Sequence, residues 1–423
     1  NRPFGSRVET KVTDVAFSDD GKTLYTTTNE QTIKAWDLKS NKLYGTLYIF
    51  KGGIDYVFVA PTGHFDGNEG GIKRLYYLKD RNVIPLDKIY EKAYTPNLYP
   101  RLLAGEAFAK LDIQLKAIPV AKITYAAIQR NLDVTDDIAV YQNTTGEAEI
   151  TVNASSADDS IDEIRLFHNG KIVNLATRGL FVTDDSKQST STKKYTINLL
   201  PGKNSFRAIA LNSQRTESQP DEIRVSYQTG NPADPAQPVI AGNVPVDLVD
   251  KNATMHLVVV GINQYRNEKM SLNYALADAT SFKNEVEKGA KTVLTNIKTY
   301  FVTDTTADKK GITEAFAEVQ KNAKPQDVFV FYYAGHGVIS EKNKEFYLVP
   351  TDVTDLKNVD EALAEKGIAA KLLQNYAIDI QAQKQLFILD AGQSAGAFEA
   401  LLKNDGNQQK SIAMLARSTG THW

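Results

Sequence analysis

The run Met255-His256-Leu257-Val258-Val259-Val260-Gly261 carries one polar side chain in seven residues. A strand apolar at nearly every position has no face for water, so both of its faces must be covered. The segments that follow supply the cover. Helical spacing over Leu276–Lys288, Lys310–Ala323 and Ile368–Tyr376 alternates with strand-like runs at Thr299–Val302, Val328–Tyr333 and Gln385–Leu389, and Ala397–Leu402 opens a further helix. Apolar strands alternating with helices predict an α/β domain with a mostly parallel sheet over residues 251–423. In such sheets ligands and reacting groups gather outside the carboxyl ends of the strands.

The rest of the chain reads as β. Val12–Phe17, Leu24–Thr28 and Gln31–Trp36 are extended runs separated by the turn Ser18-Asp19-Asp20-Gly21-Lys22, and Trp36-Asp37 closes the third. This is the pattern of one propeller blade, and residues 1–60 resemble the last blade of a WD40 propeller. A blade cannot complete a core alone, so its neighbours are expected upstream. Residues 61–137 read as a connecting region, with Arg101–Ala104 as a short helix ended by Gly105. Residues 138–228 hold short strands at regular spacing, with a hairpin signal at Asn169-Gly170, and predict an immunoglobulin-like β-sandwich. His168, beside that turn, reads as a solvated loop histidine. Residues 229–250, with prolines at 232, 235, 238 and 245, read as a linker.

Composition narrows the function. The 423 residues have a formal net charge of −2, so nothing points to nucleic acid or an anionic membrane surface. No apolar run reaches the roughly 18 residues of a membrane span. There is no cysteine, which excludes disulfides, thiolate metal sites and a thiol nucleophile in this sequence. The expected setting is a reducing cytoplasm. The first residues show no signal-peptide pattern, but the sequence begins without methionine, so a segment upstream stays open.

Two of the α/β strands run into glycine-rich polar turns. Val328–Tyr333 leads to Ala334-Gly335-His336-Gly337, and Gln385–Leu389 leads to Asp390-Ala391-Gly392-Gln393-Ser394-Ala395-Gly396. Parallel strands bring both turns to one rim. A histidine between glycines there is expected to be exposed, as a general base beside backbone N–H groups able to receive an oxyanion.

From these residues the chain resembles the caspase and metacaspase superfamily over about residues 254–423. Leu257–Tyr265 resembles its first strand, Leu272–Ala279 the entry to its first helix, and Asp327–Gly337 its histidine strand. Phe387–Ser394 resembles its nucleophile strand, 56 residues on from His336, with Gly392 where the family has cysteine. Histidine and cysteine lie about 50 residues apart in caspases. The resemblance extends to the companion domains of bacterial caspase-like proteins. It implies that His336 is the base, that the N–H groups of Gly337 and Gly392 form the oxyanion site, and that protein or peptide is the substrate. By the metacaspase pattern it implies that Asp278 and Asp390 receive an arginine or lysine side chain, since paired carboxylates suit a guanidinium. Blade and sandwich would dock a protein partner.

Glycine keeps an N–H but offers no nucleophile, so the chain as it stands is expected to be proteolytically dead. Two origins stay open: cysteine replaced by glycine to hold an uncleaved state, or a natural pseudocaspase scaffold that binds basic peptides. The undamaged surroundings favour the first. A third reading takes Gly392-Gln393-Ser394-Ala395-Gly396 as a G-x-S-x-G elbow with Ser394 as a serine-hydrolase nucleophile. Against it, only His422 follows, and such enzymes place the acid and then the histidine after the serine. No cofactor is expected. Calcium is raised only because some metacaspases bind it at acidic loops, and the spacing of Asp352, Asp355 and Asp360 matches no coordination loop. By the resemblance, the part completing the sheet would follow Trp423, with Ser418–Trp423 beginning another strand.

Overall fold

A computed structural model describes residues 10–50, 52–79, 82–114, 116–125, 133–135, 138–173, 188–228, 250–343, 345–391 and 405–420. Nearly all of the linker read at 229–250 lies outside these residues, as do the helix read at 397–402, Gly392, Ser394 and His422. The chain divides into two compact units, residues 1–119 with 156–162 and 211–218, and residues 120–155 with 163–210 and 219–423.

In the first unit, Val12–Phe17, Thr23–Thr28, Thr32–Asp37, Lys42–Ile49, Tyr56–Val59 and Phe65–Gly67 form one antiparallel sheet in chain order. Gly21 turns the first hairpin at φ +66°, in the left-handed region that favours glycine. The Trp36 indole N–H donates to Thr26 Oγ1 at 3.0 Å, tying neighbouring strands. Val57 and Phe65 bury against Ile72, Ile84 and Leu86. The edge strand Val12–Phe17 is exposed along its length. Helix Leu98–Leu103 stops just before Gly105, at φ +87°.

The second unit begins with two sheets. Val120–Tyr125, Glu147–Ser155 and Thr190–Asn198 make one. Asp133–Thr135, Ile138–Asn143, Asp221–Tyr227, Gly202–Asn212, Ile161–His168 and Lys171–Ile172 make the other. Along Glu147–Ser155, Ala148, Ile150, Val152 and Ala154 alternate inward, the period of two that a half-buried strand requires. The hairpin forms as expected, with Asn169 at φ 50° and Gly170 at φ 89°.

His168 is not a solvated loop residue. It is 5% exposed, its ring stacks on Phe206 at 4.6 Å, and its Nε2 lies 2.8 Å from Asn204 Oδ1. Gln383 Nε2 donates to Nδ1 at 3.0 Å. The sequence could not show this, because Asn204 arrives from a distant strand and Gln383 from the bend before Lys384. Burial pushes the imidazole down to about 4 from an ordinary 6.5. The unfolded chain then binds the proton first, so the contribution of His168 is full above pH 6.5 and is lost as the pH falls toward 4. A shift of that size is worth about 3 kcal/mol at most. Urea midpoints measured between pH 7 and 4 should fall less steeply in His168→Phe; an unchanged slope would contradict the burial.

The α/β part follows. Its strands are β1 (Thr254–Gly261), β2 (Asn296–Thr303), β3 (Val328–Ala334), β4 (Gly337–Ile339), β5 (Phe346–Leu348), β6 (Ile368–Ala369) and β7 (Lys384–Asp390). Its helices are α1 (Ala275–Ala290), α2 (Lys309–Asn322), α3 (Val359–Lys366), α4 (Ala370–Asp379) and α5 (Asp405–Thr419). The main sheet has the order β2-β1-β3-β7, and every pairing in it is parallel. Leu257, Val259, Val330 and Tyr332 pack under Ala275 and Ala279 of α1. On the opposite face Val258, Val260, Phe329 and Phe331 meet Ile312 and Phe316 of α2 and Leu373 of α4. This is the doubly covered sheet that the apolar run at 255–261 demanded. A small antiparallel sheet, β4-β5-β6, leaves the rim beyond β3.

Ser418 and Thr419 do not begin a strand; they end α5. Their hydroxyls donate to the Leu415 carbonyl at 3.2 and 2.7 Å, a bonding mode open to Ser and Thr inside helices. Among the described residues no helix is long and apolar enough to cross a membrane.

Candidate active site

The register of the main sheet sets Gly261, Ala334 and Asp390 level at the carboxyl rim. The chain leaves β3 as Gly335, whose N–H donates to the Asp390 carbonyl at 3.3 Å, so the two glycine-rich turns start side by side.

His336 comes next, and it is buried, 4% exposed, rather than open to solvent as its glycine neighbours implied. The loop after β1 closes over it. The Tyr265 hydroxyl accepts the His336 N–H at 2.9 Å, and the two rings lie 4.9 Å apart. Nε2 lies 2.7 Å from the Met270 carbonyl. A carbonyl only accepts, so Nε2 carries the proton of the neutral ring and Nδ1 the lone pair. Burial lowers the pKa of His336, partly offset by the Met270 carbonyl. The result is an imidazole whose Nε2 is held on the Met270 carbonyl and whose charged form is disfavoured. The His336 carbonyl is also held, by the Val349 N–H at 3.0 Å and the Tyr333 hydroxyl at 2.9 Å.

Gly337 opens β4 opposite Leu348. Val349 bonds His336 and Ser340 bonds Glu345, so the alternation of an antiparallel ladder makes 337 and 348 a non-bonded pair. The Gly337 N–H therefore points out of the ladder. A Cβ at Gly337 would lie 2.7 Å from the Ala391 Cβ and 2.8 Å from the Phe346 ring, so only glycine fits against the chain arriving from β7. Ala391 is the last described residue before position 392; Gly392 and Ser394 lie outside the described residues.

Asp278, in the first turn of α1, and Asp390, at the end of β7, are both exposed. Tyr332 relates them. Its hydroxyl donates to Asp390 Oδ2 at 3.2 Å. The phenol is pushed up to about 12 by burial first, then by the charges of Asp390 and, more weakly, Asp278. The Asp390 carboxylate thus meets this hydroxyl directly, and the Asp278 charge acts on it from further away.

The acidic stretch after β5 holds no such convergence. Asp352 accepts the Lys309 N–H, Asp355 the N–H groups of Lys357 and Asn358, and Asp360 the Ser340 hydroxyl. Among the described residues no group of three or more His, Asp or Glu side chains is placed to hold a metal ion. Sequence reasoning missed Tyr265, Met270 and Tyr332 as parts of the site. Tyr332 carried a signal, since every second residue of β3 faces α1.

A buried, oriented histidine at a strand end, a glycine with an outward N–H, and a parallel neighbour leading to position 392 are now in place. Residues 254–420 match the family model of the caspase domain. The match supports a caspase-like cysteine peptidase in general, and with it a protein or peptide substrate. No curated protein matches the chain. Among solved structures, fibronectin(III)-like modules of Clostridium thermocellum CbhA are 14% identical over 26% of this chain and all of theirs, with a TM-score of 0.18. A Niemann-Pick type C2 protein from the Japanese carpenter ant is 11% identical over 27% of this chain and 95% of its own, at 0.18. The sialic acid binding region of a Streptococcus sanguinis adhesin is 9% identical over 59% and 46%, at 0.16.

Proposed function

We propose that the caspase domain is the peptidase of a protein that cuts peptide bonds after arginine or lysine, held inactive here by glycine at the nucleophile position. The observation that carries the reading is the His336 imidazole, anchored by Nε2 on Met270, one residue from the glycine against which Ala391 packs. With cysteine at 392, the thiol proton passes to Nδ1 and the thiolate attacks the scissile carbonyl carbon. The N–H groups of Gly337 and residue 392 receive the oxyanion. The imidazolium then protonates the departing amine, leaving an acyl-enzyme that water cleaves with His336 again as base. Glycine permits none of these steps. Asp278 and Asp390 supply the charge for a basic side chain ahead of the cut. The sheet of residues 12–67, as a propeller blade, and the two-sheet region, as an immunoglobulin-like sandwich, are the parts that dock a protein partner.

The test is Gly392→Cys assayed on matched fluorogenic peptides ending in Arg, Lys or Asp. Turnover of the basic peptides should exceed that of the acidic one at least ~100-fold, since like charges brought together cost several kcal/mol. A preference for Asp would defeat the specificity, and no His336-dependent turnover would defeat the peptidase.

A further inference from the structure

The two carboxylates of the rim differ in how they are held. Among the described residues the hydrogen bond to the Asp390 side chain comes from Tyr332, itself 6% exposed. The Tyr332 ring stacks on Phe282 of α1, centroids 4.2 Å apart and planes 14° apart, so the phenol cannot swing. Its pKa, about 12, keeps the hydroxyl a donor at any ordinary pH. A rigid donor on Oδ2 restrains the plane of the Asp390 carboxylate, and among the described residues no hydrogen bond is made to Oδ1.

That matters differently to the two basic side chains. A guanidinium is a planar fork that binds a carboxylate through two parallel N–H···O bonds, which requires a defined carboxylate plane. An ammonium is a compact charge with rotatable donors and makes no such demand. We infer that Tyr332 is a positioning residue that orients Asp390 so that the acidic site at Asp278 and Asp390 takes arginine in preference to lysine. The inference rests on the reading above, that these carboxylates receive the basic side chain.

Binding tests it without restoring a nucleophile. Two labelled peptides, identical except for a terminal Arg or Lys amide, are titrated against the chain as it stands by fluorescence anisotropy. Arg should bind about tenfold tighter than Lys, the scale of one added charge-assisted hydrogen bond. In Tyr332→Phe, which keeps the ring stacked on Phe282, Arg affinity should fall about five- to tenfold and Lys affinity less than twofold. Asp390→Glu changes an exposed residue and keeps the charge, but moves the carboxylate off the hydroxyl. It should collapse the Arg:Lys ratio in the same way. Asp390→Asn should weaken both peptides together. An Arg:Lys ratio unchanged in Tyr332→Phe and Asp390→Glu, with both peptides still bound and still weakened by Asp390→Asn, overturns the role of Tyr332 and leaves the basic site standing. Peptides that bind no better than an Asp-ended control, or that ignore Asp390→Asn, overturn the basic site and the inference with it.

Discussion

With cysteine restored at 392, His336→Ala should lower kcat on Arg- and Lys-ended peptides about a thousandfold, with KM changed less than threefold. The size follows from the task. A cysteine of ordinary pKa is mostly thiol at neutral pH, and a positioned base contributes about 10²–10⁴-fold. Here the base is prepared by its surroundings. Burial disfavours the charged ring, and the Met270 carbonyl accepts a hydrogen bond from Nε2–H, so the lone pair on Nδ1 is the one that would take the proton of the thiol. KM should hold, because Asp390 is held by Tyr332, which packs with α1, whereas the described partners of the imidazole are Tyr265 and the Met270 carbonyl. Steady-state kinetics on the pair Gly392→Cys and Gly392→Cys/His336→Ala separates the outcomes. A fall shared by KM would show that the histidine binds substrate, and equal activity would remove it from the chemistry.

Gly337→Ala, in the same background, should cost at least ~100-fold in kcat and about 1–3 kcal/mol in stability. The glycine is not required by its backbone, which lies outside the left-handed region. It is required by space: the added methyl would meet Ala391 at 2.7 Å and Phe346 at 2.8 Å. Phe346 is fully buried and cannot retreat, so the chain at 391 must move and carry position 392 with it. A misplacement near 1 Å is enough for the kinetic loss. Gly289→Ala in α1 is the control, since a Cβ there meets nothing within 4 Å. It should be neutral or stabilising by up to ~1 kcal/mol. Thermal melts and kinetics of the two variants decide the matter; a Gly337→Ala protein with unaltered turnover would place 392 away from Gly337.

Much of the α/β part was legible because its signals are local. The strand read at 255–261 spans Thr254–Gly261, the one read at 328–333 spans Val328–Ala334, and the one read at 385–389 spans Lys384–Asp390. A continuous apolar run admits one environment, a strand covered on both faces, so little else competed. What stayed hidden depends on partners far along the chain. His168, two residues before Gly170, and His336, between Gly335 and Gly337, both read as exposed. Yet the first is enclosed by Phe206, Asn204 and Gln383, and the second by Tyr265 and Met270. Residues near a glycine inform on local turn chemistry and say nothing about what folds over the turn. Ser418 and Thr419 failed for the opposite reason. They close a helix that already runs from Asp405, and their hydroxyls turn back onto its Leu415 carbonyl.

Placing His336 beside position 392 can be tested most directly with one titration. In Gly392→Cys, the lone thiol of the chain is followed by iodoacetamide alkylation rate against pH, with and without His336→Gln. Convergence at the rim should give a thiol pKa at least about one unit below the ordinary 8.5, returning toward 8.5 when the imidazole is removed. A pKa near 8.5 that is the same in both proteins would contradict it.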